Sequence, residues 1–343
     1  MAGFNFADPL RKLLKEDAGD CVAVDLGAAY TKGLYLSGGK IKSFMLERNR
    51  GQPLKATLEW LRQENLMSRE VRIAVKGPET LIRYVTFPKM AKANLKEVFG
   101  YEIAKFIPFP KDDVYFDLSV LEEEYSSSEM FLMVAVAKKD FIDRLTENFR
   151  QAKINVGLMT VSSVPLINLF WRTGVPAVAG DDNCALLDIG YESSVVNLFR
   201  KDIPCLSREI KVAAANFIQK ISTVKGLSLE EAHDFVASLN VPREGLGQEE
   251  VQETLEIIEE TAYELAEEIK NSLDYFEVNY GQRVRRLYVI GGLSMVKGLD
   301  KVMAHSLDLE INIWDPFAGL DLAADNDAGE FRQMLAVSLG MLI

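Results

Sequence analysis

Two aspartates, each placed two residues before a glycine, sit in matching contexts along this chain of 343 residues. Asp25-Leu26-Gly27 follows the apolar stretch Cys21-Val22-Ala23-Val24 and leads through Ala28, Ala29, Tyr30 and Lys32 into a second apolar run ending at Leu36. Asp188-Ile189-Gly190 follows Cys184-Ala185-Leu186-Leu187 and leads through Tyr191, Glu192, Ser193 and Ser194 to Phe199. Each reads as strand, tight turn, strand. A glycine in such a turn lets backbone N–H groups approach a phosphate closely. An aspartate there puts a carboxylate where a magnesium ion and its waters would sit. Two such turns facing each other suit a nucleotide cleft between duplicated domains, with ATP or ADP and magnesium as the expected cofactor. Asp25 and Asp188 are the candidates to hold the metal through water; carboxylates that only stabilise their turns are the other reading.

A third glycine turn follows the apolar run Leu287-Tyr288-Val289-Ile290. Its Gly291 and Gly292, with Leu293 and Ser294 beyond, are candidate approach points for adenosine. Lys32 is either a phosphate contact or a solvated strand lysine. Glu192 is the candidate to orient a water, with no partner marked nearby in sequence. Ser193 and Ser194 are phosphate donors or alternating polar positions on a strand.

Bulk properties narrow the field. The net charge of −12 argues against nucleic acid as a main partner, because phosphate-backbone binding needs clustered Lys and Arg. Cys21, Cys184 and Cys205 all fall in apolar runs, as buried reduced thiols of a cytosolic protein do. His233 and His305 are not spaced as a metal site, which argues against zinc or a histidine-dependent triad. No signal peptide or membrane span is visible. Residues 1–17 have an amphipathic look, with Phe4, Phe6, Leu10, Leu13 and Leu14 apolar and Arg11, Lys12 and Lys15 basic. This suits a helix docked on its own domain or one touching a membrane surface.

The elements that must position these turns are legible as α/β, and the length favours two domains. After the first strand pair come a strand near residues 41–47, a helix over 55–64 and a buried strand over 71–75. Residues 81–87 alternate as a strand stopped at Pro88, and 94–106 have helical periodicity halted by Ile107-Pro108-Phe109-Pro110, where two prolines force extended backbone. Strands follow over 114–121 and 130–137 around Ser126-Ser127-Ser128, then a helix capped by Asp140 and running to Gln151. Phe87, Phe106, Ile107 and Phe109 form either the core of this small insert or a peptide-binding edge. In the second half a helix spans 213–224, Ser228 caps another, 241–247 form a loop, and a Glu-rich amphipathic helix spans 252–280. A strand over 311–314 and an apolar helix over 331–343 close the chain, the latter expected to pack on the first domain. The expected organisation is an N-terminal segment (1–19), a first domain (20–80 and 153–180), an inserted α+β subdomain (81–152), a second domain (181–328) and the final helix (329–343).

Strand–Asp-x-Gly twice, then strand–Gly-Gly before a helix, resembles the actin-like ATPase superfamily, a duplicated ribonuclease H-like fold. Arg83 to Pro88-Lys89-Met90, Ile107-Pro108-Phe109-Pro110, Asp117-Leu118-Ser119-Val120-Leu121, Arg208-Glu209-Ile210, Trp314-Asp315-Pro316-Phe317 and Leu335-Ala336-Val337-Ser338-Leu339-Gly340 are similar to the PilM family of type IV pilus assembly proteins. The resemblance covers nearly the whole chain. It implies a cytoplasmic scaffold, peripheral on the inner face of the inner membrane, with its insert placed as in the division protein FtsA. It also implies binding of the cytoplasmic N-terminal peptide of a PilN-like membrane protein, in a groove between the first domain and the insert, and a link to pilus motor or platform proteins. Homo-oligomers belong to the same expectation. A type II secretion component and an FtsA-like membrane-tethered filament protein are the alternatives.

The chain departs from the family pattern at the nucleotide site. Ala28 and Ala29 stand where hydroxyl-bearing serines are usual, and a hydrogen bond to a charged group contributes roughly 1.5–3 kcal/mol. Lys32 matches the family lysine. His233 and Val236 stand near positions that carry a Glu and a Lys toward ribose and base. Ala213 and Ala214 replace a glycine pair, although alanine disfavours positive φ. A weak or lost nucleotide site, and at most slow hydrolysis, is the expectation.

Overall fold

A computed structural model describes residues 20–175, 183–239, 248–296, 298–318 and 329–342. The amphipathic N-terminal segment and the 241–247 loop lie outside them. Strands β1 (Cys21–Leu26), β2 (Tyr30–Ser37), β3 (Lys40–Arg48), β4 (Glu70–Val75) and β8 (Asn155–Val161) form one sheet in the order β3-β2-β1-β4-β8. Strands β9 (Asn183–Ile189), β10 (Ser194–Arg200), β11 (Ile203–Ile210), β12 (Val284–Gly291) and β13 (Glu310–Ile313) form a second in the order β11-β10-β9-β12-β13. The two orders are the same once strands are counted within each half. In each, the central strand pairs antiparallel with the next in sequence and parallel with the one beyond the crossover.

Both central strands are covered on both faces, which explains their unbroken apolar runs. Val22 and Val24 of β1 face a core with Trp60 and Phe149, whereas Ala23 faces a core shared by the two sheets. That shared core also holds Phe170, Phe199, Trp314 and Leu339. The outer face of the second sheet packs on helices Ala214–Lys225, Gln248–Tyr280 and Leu299–Leu307 through Phe217, Ile269 and Met303. Cys184 and Cys205 are buried free thiols whose pKa values burial pushes up to about 12, so they are poor nucleophiles.

Between β4 and β8 the chain builds a third, antiparallel sheet, β5 (Thr80–Pro88), β6 (Val114–Glu122) and β7 (Glu129–Lys138), in the order β5-β7-β6. Helix Lys92–Glu102 lies on it through Leu95 and Phe99. Phe87 and Ile107 are buried in this insert's own core, with Phe106 and Phe109 packed against it. The insert also touches the second sheet. Tyr84 hydrogen-bonds Ser207 (3.3 Å), and Glu122 pairs with Arg200.

Several local expectations need correction. Asp140 is not a cap. Strand β7 runs straight into helix Lys139–Gln151, Lys138 takes the cap position, and Asp140 stands in the first turn, where a carboxylate complements the helix dipole. That helix packs on the first sheet through Phe141, Ile142, Leu145 and Phe149. The insert core therefore ends at Lys138 and not at residue 152. Strand β8 was not read from the sequence as a separate strand; it is an edge strand with Leu158 exposed, so its alternation is weak. The final segment is split into a 3₁₀ turn (Gly329–Leu335) and a short α-helix (Ala336–Gly340). Leu335, Ala336, Val337, Leu339 and Met341 are all buried, so burial on every side replaces the amphipathic stripe that would favour one continuous helix. It touches the first body, the part built on the β3-β2-β1-β4-β8 sheet: Ser338 donates to the Lys32 carbonyl (3.1 Å) and Arg72 to that of Met341 (2.6 Å).

Candidate functional site

The two Asp-x-Gly turns face each other across one cavity of about 770 Å³. Asp25, Gly27, Ala28, Ala29, Tyr30 and Lys32 line one wall, and Asp188, Gly190, Tyr191, Glu192 and Ser193 line the other. Gly291, Gly292 and Leu293 line it from the end of β12. Ser294 does not: it is buried, and its hydroxyl donates to the Gly291 carbonyl (2.7 Å). Ser194 is likewise turned away, donating to the Val212 carbonyl (2.7 Å). Glu192 is exposed.

Each turn has a tether. Asn49, at the end of β3, is buried and donates its amide to the Gly27 carbonyl (2.7 Å), while its backbone N–H donates to that of Ala29 (2.9 Å). On the second wall the backbone N–H groups of Ala214 and Ala215 donate to the carbonyls of Gly190 and Tyr191 (both 2.9 Å). Ala213 is extended at φ −152°, so the alanines that replace the glycine pair carry no positive-φ strain.

Both aspartates are engaged. Lys32 Nζ lies 2.7 Å from Asp25 Oδ2. Burial alone pulls the Lys32 ammonium down, but the charge and hydrogen bond of Asp25, with Asp188 beyond, leave its pKa raised. Lys76, just after β4, reaches across from the first body to Asp188 Oδ2 (3.4 Å) and donates to the Ser193 carbonyl (3.1 Å). The expected magnesium arrangement does not fit these side chains, because each carboxylate already faces an ammonium. Among the described residues no group of three or more His, Cys, Asp or Glu is placed to hold a metal ion.

Aromatic rings also line the cavity. His233 and Val236, from helix Leu229–Leu239, line it. Ser228 caps that helix, its hydroxyl accepting from the Glu231 N–H (3.2 Å). The His233 ring stacks on Tyr30 of the first body (centroids 5.6 Å apart) and lies 6.0 Å from Tyr191. Arg48 and Arg50 pair with Asp234 (3.1 Å) and Glu230 (3.0 Å) across the rim. Such exposed pairs contribute little each. A cavity lined by stacked aromatic rings and by ammonium groups is a chemical match to a base and its phosphates.

Burial and the positive charge of Arg48 lower the His233 pKa, against the pull of Asp234 and Glu230. The unfolded chain therefore binds the proton first, so this contribution is complete above the ordinary histidine value of 6.5 and is lost as pH falls below it. Urea midpoints are expected to drop between about pH 7.5 and 5.5, before most carboxylates titrate, and the His233→Asn variant to show a flatter profile. Equal slopes for the two proteins would refute this assignment.

Sequence reasoning missed Lys76 and Asn49. Lys76 sits in a short polar link after β4 and carries no motif; Asn49 follows a strand, where a buried amide has no signature. The family model for type IV pilus assembly protein PilM matches residues 50–341 of this chain. Among solved structures, a PilM–PilN type IV pilus biogenesis complex matches with a TM-score of 0.79 at 21% identity, covering 95% of this chain and 98% of that one. Ethanolamine utilization protein EutJ from Carboxydothermus hydrogenoformans matches with a TM-score of 0.54 at 11% identity, covering 95% of this chain and 90% of that one. The fold is that of the actin-like ATPases. No curated protein sequence matches.

Proposed function

This chain belongs to the type IV pilus assembly protein PilM family, and from that premise we propose that it is a cytoplasmic scaffold whose insert captures the N-terminal tail of a PilN-like membrane protein. The scaffold would sit on the inner face of the inner membrane through that tail and link it to the pilus motor. The observation that carries the reading is that the family match takes in the insert whole. Fold similarity to a protein solved in complex with PilN, over 95% of this chain, supports it.

The seam between the insert and helix Lys139–Gln151 suits an extended tail. Tyr115 is 46% exposed there, under the Lys139 ammonium (5.7 Å) and donating to Asp143 (3.0 Å). Phe109 lies 4.9 Å from the Lys138 ammonium. The neighbouring β6 is an edge strand of the insert sheet, open to an added strand. Calorimetric titration with the N-terminal peptide of the pilus membrane protein is expected to give binding without ATP. Tyr115→Ala is expected to weaken it about tenfold, the scale of losing an aromatic anchor, with an unchanged unfolding temperature. No binding, or binding only with ATP, would overturn the proposal.

The cleft is read as an adenine-nucleotide site for ATP or ADP. Its base would enter the slot beside Tyr30 and His233, and its phosphates would approach the turns at Gly27 and Gly190. The alanines at positions 28 and 29 supply no hydroxyl donors, so binding is weak and hydrolysis slow at most.

A further inference from the structure

We infer that this cleft takes a polyphosphate without magnesium, the ammonium groups of Lys32 and Lys76 standing where a hydrated cation would. The inference rests on the nucleotide reading of the cleft and adds how its phosphates are neutralised. Asp25 is 4% exposed and holds Lys32 at 2.7 Å, with Ser162 Oγ 3.5 Å from its other oxygen. Asp188 holds Lys76 at 3.4 Å. Each carboxylate is thereby matched by one ammonium, and a divalent cation between the aspartates would face two like charges in a partly dry site.

The placement is built into both turns. A Cβ on Gly27 would lie 3.1 Å from Lys32 Nζ, and one on Gly190 would lie 2.9 Å from Lys76 Nζ. Each ammonium is seated beside the glycine of a turn, in the space a side chain there would fill. Lys76 is also anchored to the Ser193 carbonyl at 3.1 Å. It comes from the first body while its acceptors belong to the second. A polyanion entering between the turns therefore meets two positioned ammonium groups, each shared with an aspartate that it offsets, in the place a metal would take.

The test is calorimetric titration of the full chain with ATP and with inorganic pyrophosphate, in EDTA and in excess magnesium. Wild-type protein is expected to bind both ligands at least as tightly in EDTA. Lys76→Ala is expected to lose about tenfold in metal-free affinity, the scale of one charged hydrogen bond, and to regain it when magnesium is added. Wild-type binding that appears only with magnesium would overturn the inference while leaving the nucleotide reading intact, and this arm needs no variant to fold. Unchanged metal-free affinity in Lys76→Ala and in Lys76→Gln would overturn it too. No binding of either ligand in any condition would sink the nucleotide reading itself.

Discussion

Gly291→Ala is expected to destabilise the protein by about 4 kcal/mol, the scale of a steric clash added to backbone strain. Gly291 ends β12 with φ 99° and ψ 173°, a conformation reached essentially only by glycine. It pairs with Ile189 of β9, and an added Cβ would sit 2.4 Å from the Ile189 carbonyl oxygen. Neither atom belongs to a side chain that can swing aside, so β12 must part from β9 where both border the cleft. Gly292→Ala is the matched control. There the Cβ would meet only the Met334 side chain, at 3.8 Å, and the change is expected to stay within about 0.5 kcal/mol. Urea unfolding of the pair checks this; two equally stable variants would refute the argument.

The second large effect is at Phe170. It leaves helix Ser163–Arg172 of the first body and is fully buried among residues of the second. Its ring lies 5.1 Å from Phe199, 5.3 Å from Tyr288 and 5.0 Å from Trp314. Phe170→Ala leaves a ring-sized hole with walls held by two sheets, so collapse is limited. A loss of about 3–5 kcal/mol is expected, together with faster hydrogen exchange in β12 and in that helix. Phe170→Leu fills part of the hole and should lose less than half as much. Alanine tolerated at the wild-type urea midpoint would show that the two bodies do not depend on this core.

Phe170 lies where the halves meet, and that is where the sequence is least informative. The doubled strand–turn–strand, the proline-stopped insert and the long acidic helix follow from period and punctuation, which act within a few residues. The candidate glycines and aspartates were found the same way, and the cavity collects all of them; of the candidate side chains only Ser194 and Ser294 do not line it. Ser294 failed because a hydroxyl after a glycine turn serves its own backbone as readily as a ligand. Tyr30 was visible as a turn residue, but not its stacking on His233 from the other body.

The sequence by itself determined most of the elements, the repeated strand–turn–strand units and the two turns with their aspartates. Side-chain periodicity and the special backbone of Gly and Pro are local properties. Only the tertiary structure decided what those aspartates face. Lys76 meets Asp188, and Gly340 is confined by the Pro165 backbone, where an added Cβ would lie 2.1 Å from a carbonyl oxygen. These pairings join segments far apart in the chain. Their geometry depends on how two sheets dock over a shared apolar core, and hydrophobic burial, being non-directional, fixes that docking through shape and not through any motif.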